Sequence, residues 1–200
     1  MNIFFLDSDP KLAAEYQCSK HVVKMIIESC QLLCTCHHVV GTTNLPEKFY
    51  HQTHVNHPCS KWVRERKENY NWLAEHCLYL CEEYTYRYGK IHASQDLAYW
   101  LLANSPQIRS WRYQNYLKQT GEEDDRYYPA LTFQIGNYWF SEEPPQCMPD
   151  EFKVVNNPVQ AYRNYYFYNK RITIDCRWTK REKPQWFMEM ENNEVINKSV

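Results

Sequence analysis

The stretch "HVVKMIIESCQLL", residues 21–33, decides the fold class. His21, Lys24, Glu28 and Gln31 follow one another at steps of three or four, so they share one face of an α-helix. The line extends back to Lys20 and Gln17 and forward to Thr35 and His38. The rest of the circumference is Leu12, Ala13, Tyr16, Val22, Val23, Met25, Ile26, Ile27, Cys30, Leu32 and Leu33. A surface helix carries an apolar stripe on a polar cylinder. Here the proportions are reversed, and the pattern predicts a buried helix with a polar seam, running from about Pro10 to His38.

Working outward, "DSDP" (7–10) supplies an Asp cap and a Pro near the first helical turn. "NHP" (56–58) opens a second helix, which runs to about Arg87, buries Trp62, Trp72, Leu73, Cys77 and Leu80, and ends at Gly89. Ser94 opens a third helix that stops before Pro106, and Asn157-Pro158 opens a fourth. Residues 105–157 are rich in Pro and Tyr and hold no sustained period, as in an insertion. Within them, "PALTFQIGNYWF" (129–140) is a strand candidate. The expectation is a mostly α protein: one compact helical domain over 1–188 with a long central helix, an irregular insertion at 105–157, and a flexible tail at 189–200.

Composition narrows the function. Four Gly in 200 residues leave little room for phosphate-cradling loops or a tight-turn β architecture, and no dinucleotide fingerprint occurs. "MNIFFLDSDP" lacks the basic region of a secretory signal, so the nine Cys are expected as free thiols inside a cell, with no membrane partner. Net charge is −1, yet seven Lys or Arg fall between Arg163 and Lys183 against only Asp175 and Glu182. A neutral chain can still present a basic face.

Three groupings carry chemistry. Lys24 and Glu28 stand at i,i+4, with His21 one turn earlier, so their tips converge. The grouping is either a structural ion pair or the floor of a cleft. In a cleft, Glu28 handles protons, Lys24 is a cation or amine nucleophile, and His21 assists. The second grouping is the Cys and His residues. Cys30, Cys34, Cys77 and Cys81 repeat helical steps among Leu, and His51, His54 and His57 lack an acidic companion, so no metal or cofactor is expected. His54, Asn56 and His57 are assigned to the start of the second helix or to a substrate. The third grouping lies in 162–187, where Tyr162, Arg163, Lys170 and Arg171 begin an interleaving of cations and aromatics that suits phosphates and unstacked bases. Arg64 and Lys20 join it as phosphate ligands. The alternative is a buried aromatic core with a solvated basic face.

Two resemblances rest on these residues. The series "HVVKM" (21–25), "NHP", "ENYNWL" (68–73), "EEYTYRYGKIH" (82–92), "PQCMPDEFK" (145–153) and "AYRNYY" (161–166) resembles largely uncharacterised proteins of tailed phages and other large DNA viruses. Lys24, Glu28, Gln31, Asn56-His57-Pro58, Trp62 and Tyr70, within 17–90, are similar to the pyrimidine-dimer DNA glycosylases. That second resemblance implies an all-α enzyme that flips a base and attacks C1′ with an N-terminal α-amine. A carboxylate from the first long helix assists. Glu28 matches the carboxylate, or His21 does in another alignment. Met1 then bears the amine, unless it is removed ahead of the large Asn2. The expected partner is DNA or a nucleotide, and the expected activity a glycosylase or glycosylase/lyase on a pyrimidine base. The alternatives are a non-catalytic viral module binding nucleic acid or a host protein, and an enzyme on free nucleotides. The oligomeric state is not set by the sequence.

Overall fold

The computed structural model describes residues 1–108, 117, 119–121, 133–140 and 142–198; residues 129–132 of the strand candidate 129–140 and part of the 105–157 insertion lie outside them. The chain is mostly α. Among the described residues, no helix is long and apolar enough to cross a membrane.

The expected first helix is two helices, α1 (Pro10–Glu15) and α2 (Ser19–Val40), joined by an elbow at Tyr16–Cys18. Asp9 caps α1 by accepting from the Lys11 and Leu12 amides, as the sequence suggests. The elbow has no Gly or Pro to announce it. Its polar groups are met from far along the chain: Arg177 O accepts from the Ser19 amide at 2.7 Å, and the Trp178 indole donates to Tyr16 O at 3.0 Å. The Gln17 side chain turns inward to the ring of His76.

The expected second helix is also broken, into α3 (Pro58–Val63) and α4 (Lys67–Tyr88). Asn69 bridges this break by donating to Trp62 O at 2.8 Å. Gly41 and Gly89 end α2 and α4 in left-handed conformations (φ 75° and 65°), the usual service of glycine at a helix C-terminus. α2 packs along α4, and the Cys residues at helical spacing fill that seam, with Cys30 Sγ 3.5 Å from Cys77 Sγ. All nine Cys are free thiols. α5 (Gln95–Ala103) packs against both α4 and α2.

Ile3, Phe4, Phe5 and Leu6 are buried, and a β-hairpin docks against them. Strands β1 (Phe133–Ile135) and β2 (Tyr138–Phe140) pair antiparallel, Phe133 opposite Phe140. Gly136 makes the turn at φ 57°, and a Cβ there would meet Ser8 Oγ at 2.5 Å. Phe140 lies against Phe5 and Trp62. After a 3₁₀ turn at Asp150–Phe152 come α6 (Pro158–Tyr165), a π-helical turn (Tyr166–Lys170) and the short α7 (Arg171–Thr173). Asn157 caps α6 by accepting from the Gln160 amide. The segment that reads as frayed beyond Met188 belongs instead to a helix, α8 (Gln185–Lys198). It is tied down by Lys183–Glu191 at 2.8 Å and Arg171–Glu194 at 3.0 Å.

Three imidazoles are enclosed in this core. Burial holds His21 at a pKa of about 3, and His37 and His76 at about 4. Each stays neutral in the folded chain at pH 5, whereas an unfolded histidine takes up a proton near pH 6.5. The unfolded state therefore binds more protons, and stability falls as pH falls below about 6.5 towards 4. His76 alone should account for about 2 kcal/mol between pH 7 and pH 5, or roughly 4–8 °C in Tm. A melting temperature that stays flat across this range would mean that these rings are not enclosed.

Candidate active site at the N-terminal amine

The polar seam of α2 meets the N-terminal segment at Glu28. Phe4 adopts φ 43°, a left-handed conformation uncommon for a bulky side chain. Its ring is stacked on His21 at 4.3 Å and stands edge-on to Tyr162 and Tyr166, so packing holds the bend. Asn2 Oδ1 accepts from the amides of Ile3 and Phe4 and braces the same bend. Met1 and Asn2 are thereby brought back over α2.

Three nitrogens surround the Glu28 carboxylate. The Asn2 amide donates to Oε2 at 2.9 Å, and the Met1 α-amine lies 3.7 Å from the same oxygen. Lys24 Nζ lies 3.1 Å from Oε1. The Glu28 side chain is only 12% exposed, while that of Lys24 is 68% exposed, so the carboxylate is recessed and the lysine is its solvent-side neighbour. The loop through Pro144–Met148 closes the opposite wall. Cys147 O accepts from Asn2 Nδ2 at 2.9 Å, and Pro145 O accepts from the buried Tyr162 hydroxyl at 2.7 Å. His57, at the start of α3, faces this group: the positive N-terminus pushes its pKa down, after burial, and Glu28 pushes it up.

The other residues singled out in the sequence divide into two groups. Lys20, Val23, Lys24 and Ile27 form an exposed strip on α2, which is therefore buried on one side and open on the other, contrary to the buried cylinder expected. Lys170 joins that side, since both it and Lys24 depress the pKa of His21 after the effect of burial. Lys170 also lies over the Tyr165 ring at 4.5 Å. Asn56 is exposed beside Pro58.

The second group is engaged in the fold. His21 is buried between Phe4 and Tyr166, with its Nδ1 on the Tyr166 hydroxyl, which makes it a core histidine and not a partner of Glu28. Arg64 is buried and donates to Ser60 Oγ, so it does not offer its guanidinium to a phosphate. Arg163 donates to Leu6 O and pairs with Asp7 at 3.0 Å, and Arg171 pairs with Glu194. Tyr162, Tyr166, Phe167, Trp178 and Phe187 are core, and Phe187 meets Phe167 and Trp178 edge-on, so these aromatics are taken up by packing.

Sequence reasoning treated Asn2 only as an obstacle to processing, and it overlooked Cys147. Neither has a local signature: Asn2 stands 26 residues from Glu28, and Cys147 stands 145 from Asn2.

Comparison with known proteins agrees on the region that holds the amine and the carboxylate. Residues 1–96 match the model of a family described as pyrimidine dimer DNA glycosylase. That stretch takes in the N-terminal segment, α1 to α4 and the start of α5. Comparison with curated proteins and with solved structures gives no match.

Proposed function

We propose that this protein is a DNA glycosylase acting on a pyrimidine base, with an N-terminal amine as nucleophile and Glu28 as the group that handles protons. The observation that carries the reading is the meeting of the α-amine, the Asn2 nitrogen and a recessed carboxylate at one point. A neutral amine attacks C1′, the glycosidic bond breaks, and the base departs with the bonding electrons. Glu28 takes the proton the amine sheds and stabilises positive charge developing at C1′. Ring opening of the sugar then leaves an imine between the chain and C1′, from which strand cleavage by β-elimination follows. If Met1 is removed, the Asn2 nitrogen becomes the amine, already 2.9 Å from the carboxylate. The strip of Lys20, Lys24 and Lys170 is the surface offered to phosphates, and the target base leaves its stack to reach C1′ chemistry at Glu28.

The test is reduction with borohydride while the protein acts on duplex DNA carrying a pyrimidine dimer or, separately, an abasic site. A covalent protein–DNA adduct is expected, and peptide mapping should place it on residue 1 or 2. An adduct on Lys24 would move the nucleophile to that side chain. Absence of any adduct on both substrates would sink the imine mechanism.

A further inference from the structure

Beside the amine lies a second constellation with different chemistry. Cys59 Sγ and Cys147 Sγ are 3.5 Å apart, and a ring nitrogen of His57 joins them so that all three donor atoms lie within 4.8 Å of one another. Two sulfurs on one tetrahedral zinc, each at about 2.3 Å, stand about 3.8 Å apart. The observed pair is close to that span. We propose that His57, Cys59 and Cys147 bind one zinc ion, which clasps the 144–148 loop onto the start of α3.

Three observations support the site. Two thiols and an imidazole without a carboxylate form a donor set that selects zinc over magnesium or calcium. Cys59 is fully buried while His57 and Cys147 are partly exposed, which leaves a way in for an ion. The third is a contrast within the same chain: Cys30 and Cys77 are also 3.5 Å apart, but both are wholly buried between α2 and α4, which leaves an ion no way in.

Zinc would displace the two thiol protons and leave one coordination position beyond the three side chains. Its service to the rest of the protein runs through Cys147, whose carbonyl holds Asn2 Nδ2. By fixing that carbonyl, the ion would act as a positioning element for the N-terminal residue over Glu28. The clasp does not depend on the glycosylase reading, since its donors and its test concern metal alone.

The experiment uses the full chain, reduced, stripped with a chelator and titrated with zinc or cobalt. One zinc per chain is expected, and cobalt should give thiolate-to-metal charge-transfer absorption. Changes outside the ligand set of a zinc site already cost 10–100-fold in affinity, so Cys147→Ser and His57→Gln should each weaken binding by more than about a hundredfold. Cys30→Ser should leave binding unchanged. Failure of the reduced wild-type chain to bind zinc or to give the cobalt band overturns the site, whatever the variants do. So does binding that survives Cys147→Ser intact.

Discussion

Glu28→Gln is expected to lower base excision by about 10²–10⁴-fold, the usual worth of a positioned acid/base group, and to abolish the borohydride adduct. The substitution keeps the shape of the side chain, and its amide oxygen can still accept from the Asn2 amide that now donates at 2.9 Å. What it removes is the charge and the basicity. A purely structural Lys24–Glu28 pair would predict a different outcome, a large loss of stability, because breaking a fully buried pair costs about 3–5 kcal/mol. The burial decides between them. Lys24 is 68% exposed, so its ammonium is hydrated with or without a partner, and a pair of this kind is worth about 0–1 kcal/mol. Tm should therefore stay within a few degrees of wild type while activity is lost. A variant that melts far earlier yet still excises bases would return Glu28 to the core.

Glu83→Ala is expected to produce the largest loss of stability, about 3–5 kcal/mol. At 2–4 °C per kcal/mol for a chain of this size, that is roughly 6–20 °C in Tm. Glu83 and Arg87 are one turn apart on α4, 3% and 0% exposed, with Arg87 Nε 2.6 Å from Glu83 Oε1. Arg181 closes on the same carboxylate with two bonds of 2.6 Å and reaches Glu15 at 3.4 Å. Arg87 also donates to Glu15 O at 3.0 Å. Removing Glu83 leaves a buried guanidinium without its countercharge, and that uncompensated charge is the main cost. Arg181→Ala should cost less, since that side chain is 30% exposed and water can replace it. Thermal melts of the two variants side by side test the ranking, and equal melting temperatures would contradict it.

Much of the fold is legible in the sequence because its signals are local. Asp9 before Pro10, Asn157 before Pro158, and Gly41 and Gly89 mark helix ends with residues whose geometry requires nothing distant. The elbow at Tyr16–Cys18 and the break at Arg64–Arg66 are illegible for the complementary reason. No residue there forbids a helix, and the groups that replace the lost helical hydrogen bonds are partly side chains and partly contacts from residues near 177. The Lys24–Glu28 pair is readable from its spacing, but its third member is not. A carboxylate on α2 gives no hint that a bend at Phe4 returns the α-amine to it. The basic–aromatic tract misled for a similar reason. Its cations suit phosphate in isolation, while the acids that occupy Arg163, Arg171 and Arg181 lie 156, 23 and 98 residues away.

The elbow between α1 and α2 also bears on where this chain can be divided. Similarity to the glycosylase family stops at residue 96, yet the elbow inside that stretch is closed by Arg177, Trp178 and Thr179. A fragment trimmed to the matching residues 1–96 would strip the Ser19 amide and the Tyr16 carbonyl of their partners. It would also take Arg181 from Glu83 and lay bare the surface under Trp178 and Phe187. The edge of the similarity and the edge of the folding unit fall in different places here, and the second half is the mortar of the first.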